Sequence, residues 1–189
     1  MNLAIRITNL WLFYVLAYVI ALPIQEWANK KRGQPFDDPE FLFKGKTIFA
    51  IAMLWLFGGL AISLFVPVSF GPLFYVGLAF FIVGVVIVSL TFYSFAVQSG
   101  LATTGIHRYS RNPGYVGWTL VIFGLTLMGW SPSPWSIAFL LYFLLTIPYF
   151  HWTVTLEEAF LLGKYGDSYK DYLQHTARYF GIPKGEPGS

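Results

Sequence analysis

The chain has 189 residues, of which 56% are hydrophobic, 20% aromatic and 11% charged, with 12 Lys+Arg, 9 Asp+Glu and no Cys. Soluble domains average about 25% charged residues, so this chain cannot coat a water-facing surface in the usual way, and its mean hydropathy of +0.60 agrees. An ordinary soluble domain and a disordered tail are excluded. So is a nucleic-acid-binding face, because the net charge of +3 is small and scattered, and the lack of Cys excludes disulfides, iron–sulfur clusters, thiolate zinc sites and a Cys nucleophile.

A membrane-crossing helix needs roughly 20 mostly apolar residues, since each adds about 1.5 Å toward a hydrocarbon core about 30 Å thick. Five stretches meet or approach that length: about Ile7 to Ile24, Thr47 to Val66, Pro72 to Val97, Tyr115 to Trp130, and Pro134 to Phe150, with Leu156 as its furthest end. None contains Asp, Glu, Lys or Arg in its core. The links Val66–Pro72 and Trp130–Pro134 are rich in Pro, Gly and Ser and read as tight turns between antiparallel helices. The sequence therefore predicts an all-α, polytopic membrane helix bundle of about five spans. It forms one structural domain in two parts: residues 1–97 carry spans alone, and residues 98–189 carry the motifs.

With five spans, 11 of the 12 basic residues fall on one side: the Lys30–Arg32 cluster with Lys44 and Lys46, Arg108 with Arg111, and the C-terminal group Lys164, Lys170, Arg178 and Lys184. The positive-inside rule then puts the N-terminus outside and the C-terminus inside, with a cytoplasmic C-terminal helical segment. The KKR cluster follows the first apolar run instead of preceding it, so that run reads as a retained span and not as a secretory signal. The final GEPGS reads as a frayed tail. Gly77 and Gly84, and Gly117 and Gly124, are each seven residues apart, a spacing that suits close helix packing in membranes.

The remaining polar chemistry lies in two segments. Between Gln98 and Gly117 stand His107, Arg108, Tyr109, Arg111, Asn112 and Tyr115. Gly105 suits a positive φ or a close backbone approach to a ligand, and Pro113 suits the first turn of the next helix. A helix start beside Arg111 is a natural cradle for a carboxylate or phosphate. After the fifth span come His151, Thr155 and Glu158, which share one helical face, with Glu157 about 100° round. Two adjacent carboxylates at a membrane edge call for partners, and Arg108 and Arg111, or a cationic ligand, are the evident ones. Leu161, Tyr165, Tyr169 and Tyr172 then recur at helical spacing, a stripe that Gly166 is placed to interrupt. The sequence holds no HExxH, and its three His are scattered without Cys, so no metal site is expected.

Thr103 to Gly117 (TTGIHRYSRNPGYVG), Glu157 to Leu161 (EEAFL) and Tyr165 to Tyr172 (YGDSYKDY) together resemble the integral-membrane methyltransferase superfamily. That group contains isoprenylcysteine carboxyl methyltransferases and phospholipid N-methyltransferases. The resemblance implies S-adenosylmethionine as cofactor, an active site facing the cytoplasm, and a lipid-like or isoprenoid acceptor arriving from the bilayer of a cell inner membrane or endomembrane. It implies Arg111, Asn112, Glu158 and His107 as catalytic candidates. Gly105, Arg111, Asn112, Pro113, Tyr115, Gly117, Glu157 and Glu158 are implied as cofactor-binding candidates. The family His is Asn112 here, and the family Tyr upstream is His107. Asn cannot titrate near neutral pH, which favours an acceptor that is already anionic unless His107 supplies the base. The alternative is a non-catalytic membrane protein of the same fold that binds a ligand or partner.

Overall fold

The structure is a computed structural model and describes residues 8–36 and 46–182. Arg6, Ile7, Lys44, Lys184 and the terminal GEPGS lie outside the described residues. Among those described are six α-helices: α1 (Trp11–Arg32), α2 (Lys46–Ser63), α3 (Pro72–Ala96), α4 (Pro113–Met128), α5 (Pro134–Tyr165) and α6 (Asp167–His175). A 3₁₀ turn at Gly105–Arg108 sits between α3 and α4. Pro72, Pro113 and Pro134 each open a helix, where the N–H that proline lacks would have had no intrahelical partner. The Ser133 side chain caps α5 by accepting from Ser136 N.

Three helices, α1, α3 and α5, are long and apolar enough to cross a membrane; α2 and α4 are apolar but shorter. The expectation of five comparable spans is sharpened accordingly. At 16 residues, α4 covers about 24 Å, less than a hydrocarbon core of about 30 Å. The 32 residues of α5 cover about 48 Å, more than the thickness of that core. The first helix also outruns its predicted end at Ile24. It passes through Pro23 to Arg32 and stops at Gly33, whose φ of 73° is left-handed and whose N–H meets Asn29 O.

Short contacts define the two ends of the bundle. At one end Leu10 N donates to Val66 O (2.9 Å), Val68 N to Thr8 O (2.9 Å) and Ser69 N to Met128 O (2.9 Å). The Ser136 hydroxyl closes the α4–α5 turn on Gly129 O (2.8 Å). At the other end Arg32 of α1 reaches across α3, donating to Phe95 O (2.9 Å) and to Gly100 O, with its guanidinium 3.7 Å from the Phe95 ring centre. The C-terminus of α1, the start of α2, the 97–112 loop and α6 therefore gather at one end, with the two tight turns at the opposite one.

The α3–α4 pair is the most closely packed, and its glycines account for this. A Cβ on Gly77 would stand 2.5 Å from Gly124 O, and one on Gly84 would stand 2.7 Å from Gly117 O. The two pairs of glycines seven apart thus face each other across an antiparallel crossing, which lets backbone meet backbone. Across the bundle the core is largely aromatic. Trp55 stacks on Tyr142 and Tyr149 at centroid distances of 5.0 and 5.5 Å, and Tyr18 stacks on Trp118 at 4.5 Å.

Candidate functional site

The 97–112 loop is tied from within. The Gln98 side chain accepts from Thr103 N and Thr104 N (both 2.9 Å) and donates to Ser94 O (2.7 Å). Gly105 has the left-handed backbone expected of it, with φ of 64°. Its close approach is to the protein itself, since a Cβ there would lie 2.7 Å from Ser94 Oγ. His107 is buried, with Nδ1 3.2 Å from the Ser94 hydroxyl. Burial, with the nearby Arg32 charge as the second cause, pushes its pKa down to about 4. The imidazole is neutral at pH 7 and a weak proton acceptor.

Beyond the loop, Arg111, Asn112 and Glu158 come together in a buried knot that also holds Arg178. Glu158 Oε1 accepts from Arg111 Nε (3.2 Å), lies 3.1 Å from Arg111 Nη2, and accepts from Asn112 Nδ2 (3.2 Å). Its other oxygen accepts from Arg178 Nε (3.1 Å), with Arg178 Nη2 at 2.8 Å. Arg111 Nη1 donates to Leu173 O (3.0 Å) and Thr176 O (2.9 Å) at the end of α6, where a cation also complements the helix dipole. Backbone bonds from Arg111 N to Ala177 O and from Gly181 N to Tyr109 O (both 2.9 Å) lay residues 176–182 over the loop as a strap. Buried carboxylates persist only when paired and hydrogen-bonded, and Glu158 meets that condition fully.

At this helix start two N–H groups are engaged by the chain itself. The Arg111 N–H goes to Ala177 O, the Asn112 N–H meets the Ser110 hydroxyl (3.1 Å), and Pro113 has none. Gly117 lies at the α3–α4 crossing, where its role is packing. Arg108 and Tyr109 are exposed.

Glu157, one residue from the knot, faces elsewhere. It lines a cavity of about 300 Å³ at this end of the bundle, together with Arg111, Tyr115, Lys164 and the whole Leu161, Tyr165, Tyr169 and Tyr172 stripe. Gly166, with φ of 55°, breaks the chain between α5 and α6 and so turns the later half of the stripe over the cavity. Tyr115 donates to Glu157 Oε2 (2.9 Å), and Tyr172 donates to His107 O (2.7 Å). Burial is the main cause that raises the Tyr169 and Tyr172 phenols, so both stay protonated. A second cavity, of about 280 Å³, runs into the bundle between α1, α2, α3, α4 and α5, with Tyr18, Trp55, Phe92 and Trp118 in its wall. Glu157, Tyr115 and Tyr149 line both.

Sequence reasoning did not single out Arg178, Arg32 or Tyr149. Arg178 and Arg32 stood only among the basic residues that set orientation. Tyr149 lay inside an apolar run and carried no signal of its own. Arg108, which the sequence offered beside Arg111 as a partner, is exposed, and Arg178 takes that second place on Glu158.

Comparison with known proteins fits this geometry. Residues 72–168 match the family described as phospholipid methyltransferase. Over 87 residues, 46% of this chain, it is 32% identical to a protein-S-isoprenylcysteine O-methyltransferase of Schizosaccharomyces pombe, covering 33% of that protein. Over 91 residues, 44% of this chain, it is 29% identical to the protein of the same name from Dictyostelium discoideum, covering 32% of it. The matched stretch thus spans about a third of the length of these relatives. No solved structure matches the chain. Because the family match takes in just over half of its residues, the chain belongs to the phospholipid methyltransferase family, a group of integral membrane proteins that use S-adenosylmethionine as methyl donor.

Proposed function

We propose that the protein moves a methyl group from S-adenosylmethionine to a lipid-like acceptor, at the point where the end cavity meets the apolar cavity inside the bundle. One observation carries this reading: Glu157, Tyr115 and Tyr149 form a wall common to both spaces. A polar donor entering from the water side and an apolar acceptor held among the helices would have their reacting atoms at that wall.

The residues present fit the cofactor. S-adenosylmethionine, when bound, supplies an electrophilic methyl on a positively charged sulfur. Glu157 is the carboxylate suited to hold that positive region, and Tyr115 fixes its orientation through the 2.9 Å hydrogen bond. Arg111 and Lys164 line the same cavity and suit a carboxylate. The Tyr165, Tyr169 and Tyr172 rings exclude water and offer faces to a purine. The chain's contribution is then mainly alignment, because bringing reacting atoms to about 3–3.5 Å in line supplies most of what such a transfer needs. With Asn112 unable to titrate and His107 held near 4, neither of these two candidates is a strong base at the site. An anionic acceptor, of the isoprenylcysteine carboxylate type, suits this better than a phospholipid amine, which must lose a proton first.

We assign the site end to the cytoplasm and the described start of α1 to the opposite side, with α2 and α4 completing five spans. Every described Lys and Arg lies at the site end, which supports that orientation. The decisive assay is transfer of labelled methyl from S-adenosylmethionine to a membrane lipid extract by purified protein. Absence of product together with absence of cofactor binding by calorimetry overturns the proposal. Binding without turnover on any acceptor would favour the non-catalytic alternative.

A further inference from the structure

On the outer side of Tyr115 lies a third space, separate from the two assigned above. It is a groove of about 450 Å³ between α4 and α5, floored by Val116, Leu120 and Ile147, within the roughly 300–1,000 Å³ typical of small-molecule sites. Tyr115 and Phe150, edge to face at 5.2 Å, separate it from the cavity inside the bundle. Its lining is almost wholly hydrocarbon, with one polar end where His151 Nδ1 and the Tyr179 hydroxyl stand 2.6 Å apart.

Depth identifies the occupant. Counting from Pro134 at the far end of the bundle, Ile147 and His151 lie roughly 20 and 26 Å along α5, against a hydrocarbon core about 30 Å thick. The groove therefore opens into acyl chains, and its polar end reaches the level of the headgroups. The strap beside that end adds Phe180 and Ile182, which are 80% and 89% exposed, as apolar residues resting on a bilayer would be. We propose that this groove binds one acyl chain of a bilayer phospholipid, with the His151–Tyr179 pair meeting the headgroup. The bound chain braces the outer face of Tyr115, and the headgroup holds the strap through Tyr179.

The test needs neither cofactor nor acceptor, so its outcome is separable from the methyltransferase reading. The full chain is reconstituted in phosphatidylcholine vesicles and extracted in mild detergent, and bound lipid is counted by native mass spectrometry. One phospholipid per chain is expected for the wild type. Filling the groove with Thr119→Trp is expected to lower retention about tenfold, a loss of about 1.4 kcal/mol of binding. Ile137→Trp, on an exposed part of α5 outside the groove, should leave retention unchanged. If Thr119→Trp fails to fold by circular dichroism, the double variant His151→Ala/Tyr179→Phe carries the test and should cut retention several-fold. No lipid on the wild type overturns the proposal. Equal retention in the groove variants, or displacement of the phospholipid by a prenylated acceptor, also overturns it.

Discussion

Glu157 and Glu158 are consecutive on α5, yet they serve two different regions. Glu158 is buried in the knot, and both of its oxygens are taken up by Arg111, Asn112 and Arg178. Glu157 lines the two cavities and accepts a hydrogen bond from Tyr115. A rotation of about 100° between neighbours on a helix is enough to turn one carboxylate toward structure and the other toward a ligand. The difference teaches that a paired-acid motif need not supply two chemical groups: one acid here holds the strap over the loop, and the other faces the cavities.

The strongest way to break this comparison is to remove the structural member. Glu158→Ala leaves Arg111, whose side chain is 10% exposed, buried without its counter-charge. Removing one partner of a buried pair typically costs about 3–5 kcal/mol, so thermal unfolding in detergent should shift sharply downward. Hydrogen exchange should also rise across residues 176–182, and cofactor affinity should fall with it, as it should for Arg111→Ala. Wild-type stability in Glu158→Ala would show that the knot is not what closes this end.

Next in size is the effect of pH on the loop that the knot caps. The ordinary histidine pKa is about 6.5, and in the folded protein His107 is held near 4 by burial first and by Arg32 second. Between those values the unfolded chain binds the proton and the folded chain does not. Stability is therefore full above about pH 6.5 and is lost as pH falls through about 4. The loss amounts to about 3 kcal/mol at the acid limit. His107→Asn should flatten that part of the pH–stability curve, and an unchanged slope would count against the burial described for this residue.

Much of this arrangement was legible in the sequence, and the rest was hidden for identifiable reasons. Pro and Gly punctuation located the two tight turns. The glycine pairs marked faces suited to close packing without saying that they pack on each other, and the tyrosine stripe marked a helical face without showing the cavity it covers. The apolar run of α5 fades near Phe150, and the helical spacing of His151, Thr155 and Glu158 carries the helix beyond it; the backbone is helical to Tyr165. A bilayer limits the apolar stretch, not the helix. The knot was half legible: Arg111 was proposed as partner to the glutamates, but Arg178 is 20 residues from Glu158, and only the fold of the strap brings it back. The engagement of the Arg111 and Asn112 N–H groups was not legible, because periodicity gives no sign that Ala177 O of the strap takes the first and the Ser110 hydroxyl the second.

A smaller effect tests the platform on which both acids stand. Gly124→Ala would put its Cβ 2.5 Å from the carbonyl oxygen of Gly77. That oxygen belongs to the backbone and cannot turn aside, so α4 must move away from α3. Overpacking of this kind costs about 1–3 kcal/mol, read as a lowered unfolding temperature. Gly58→Ala is the matched control, since nothing lies within 4 Å of its added Cβ. Equal effects from the two would remove the close crossing as the reason α4 holds its place.

The smallest change isolates the other acid. Glu157→Gln keeps the size of the side chain and an oxygen to accept from Tyr115, and it removes only the negative charge. The carboxylate stands at a cavity wall, outside the ion-pair knot, so unfolding should move by less than about 0.5 kcal/mol. Cofactor binding should weaken by about thirtyfold, near 2 kcal/mol, the scale of a single charge-assisted hydrogen bond. Calorimetry at fixed ionic strength reads the affinity, and a thermal melt on the same sample reads the stability. The two glutamates should then give opposite patterns: Glu158→Ala loses stability and affinity together, and Glu157→Gln loses affinity alone. If Glu157→Gln instead destabilises the fold and binds cofactor normally, the carboxylate belongs to the scaffold, and the positive centre of the donor must be held by something other than this pair.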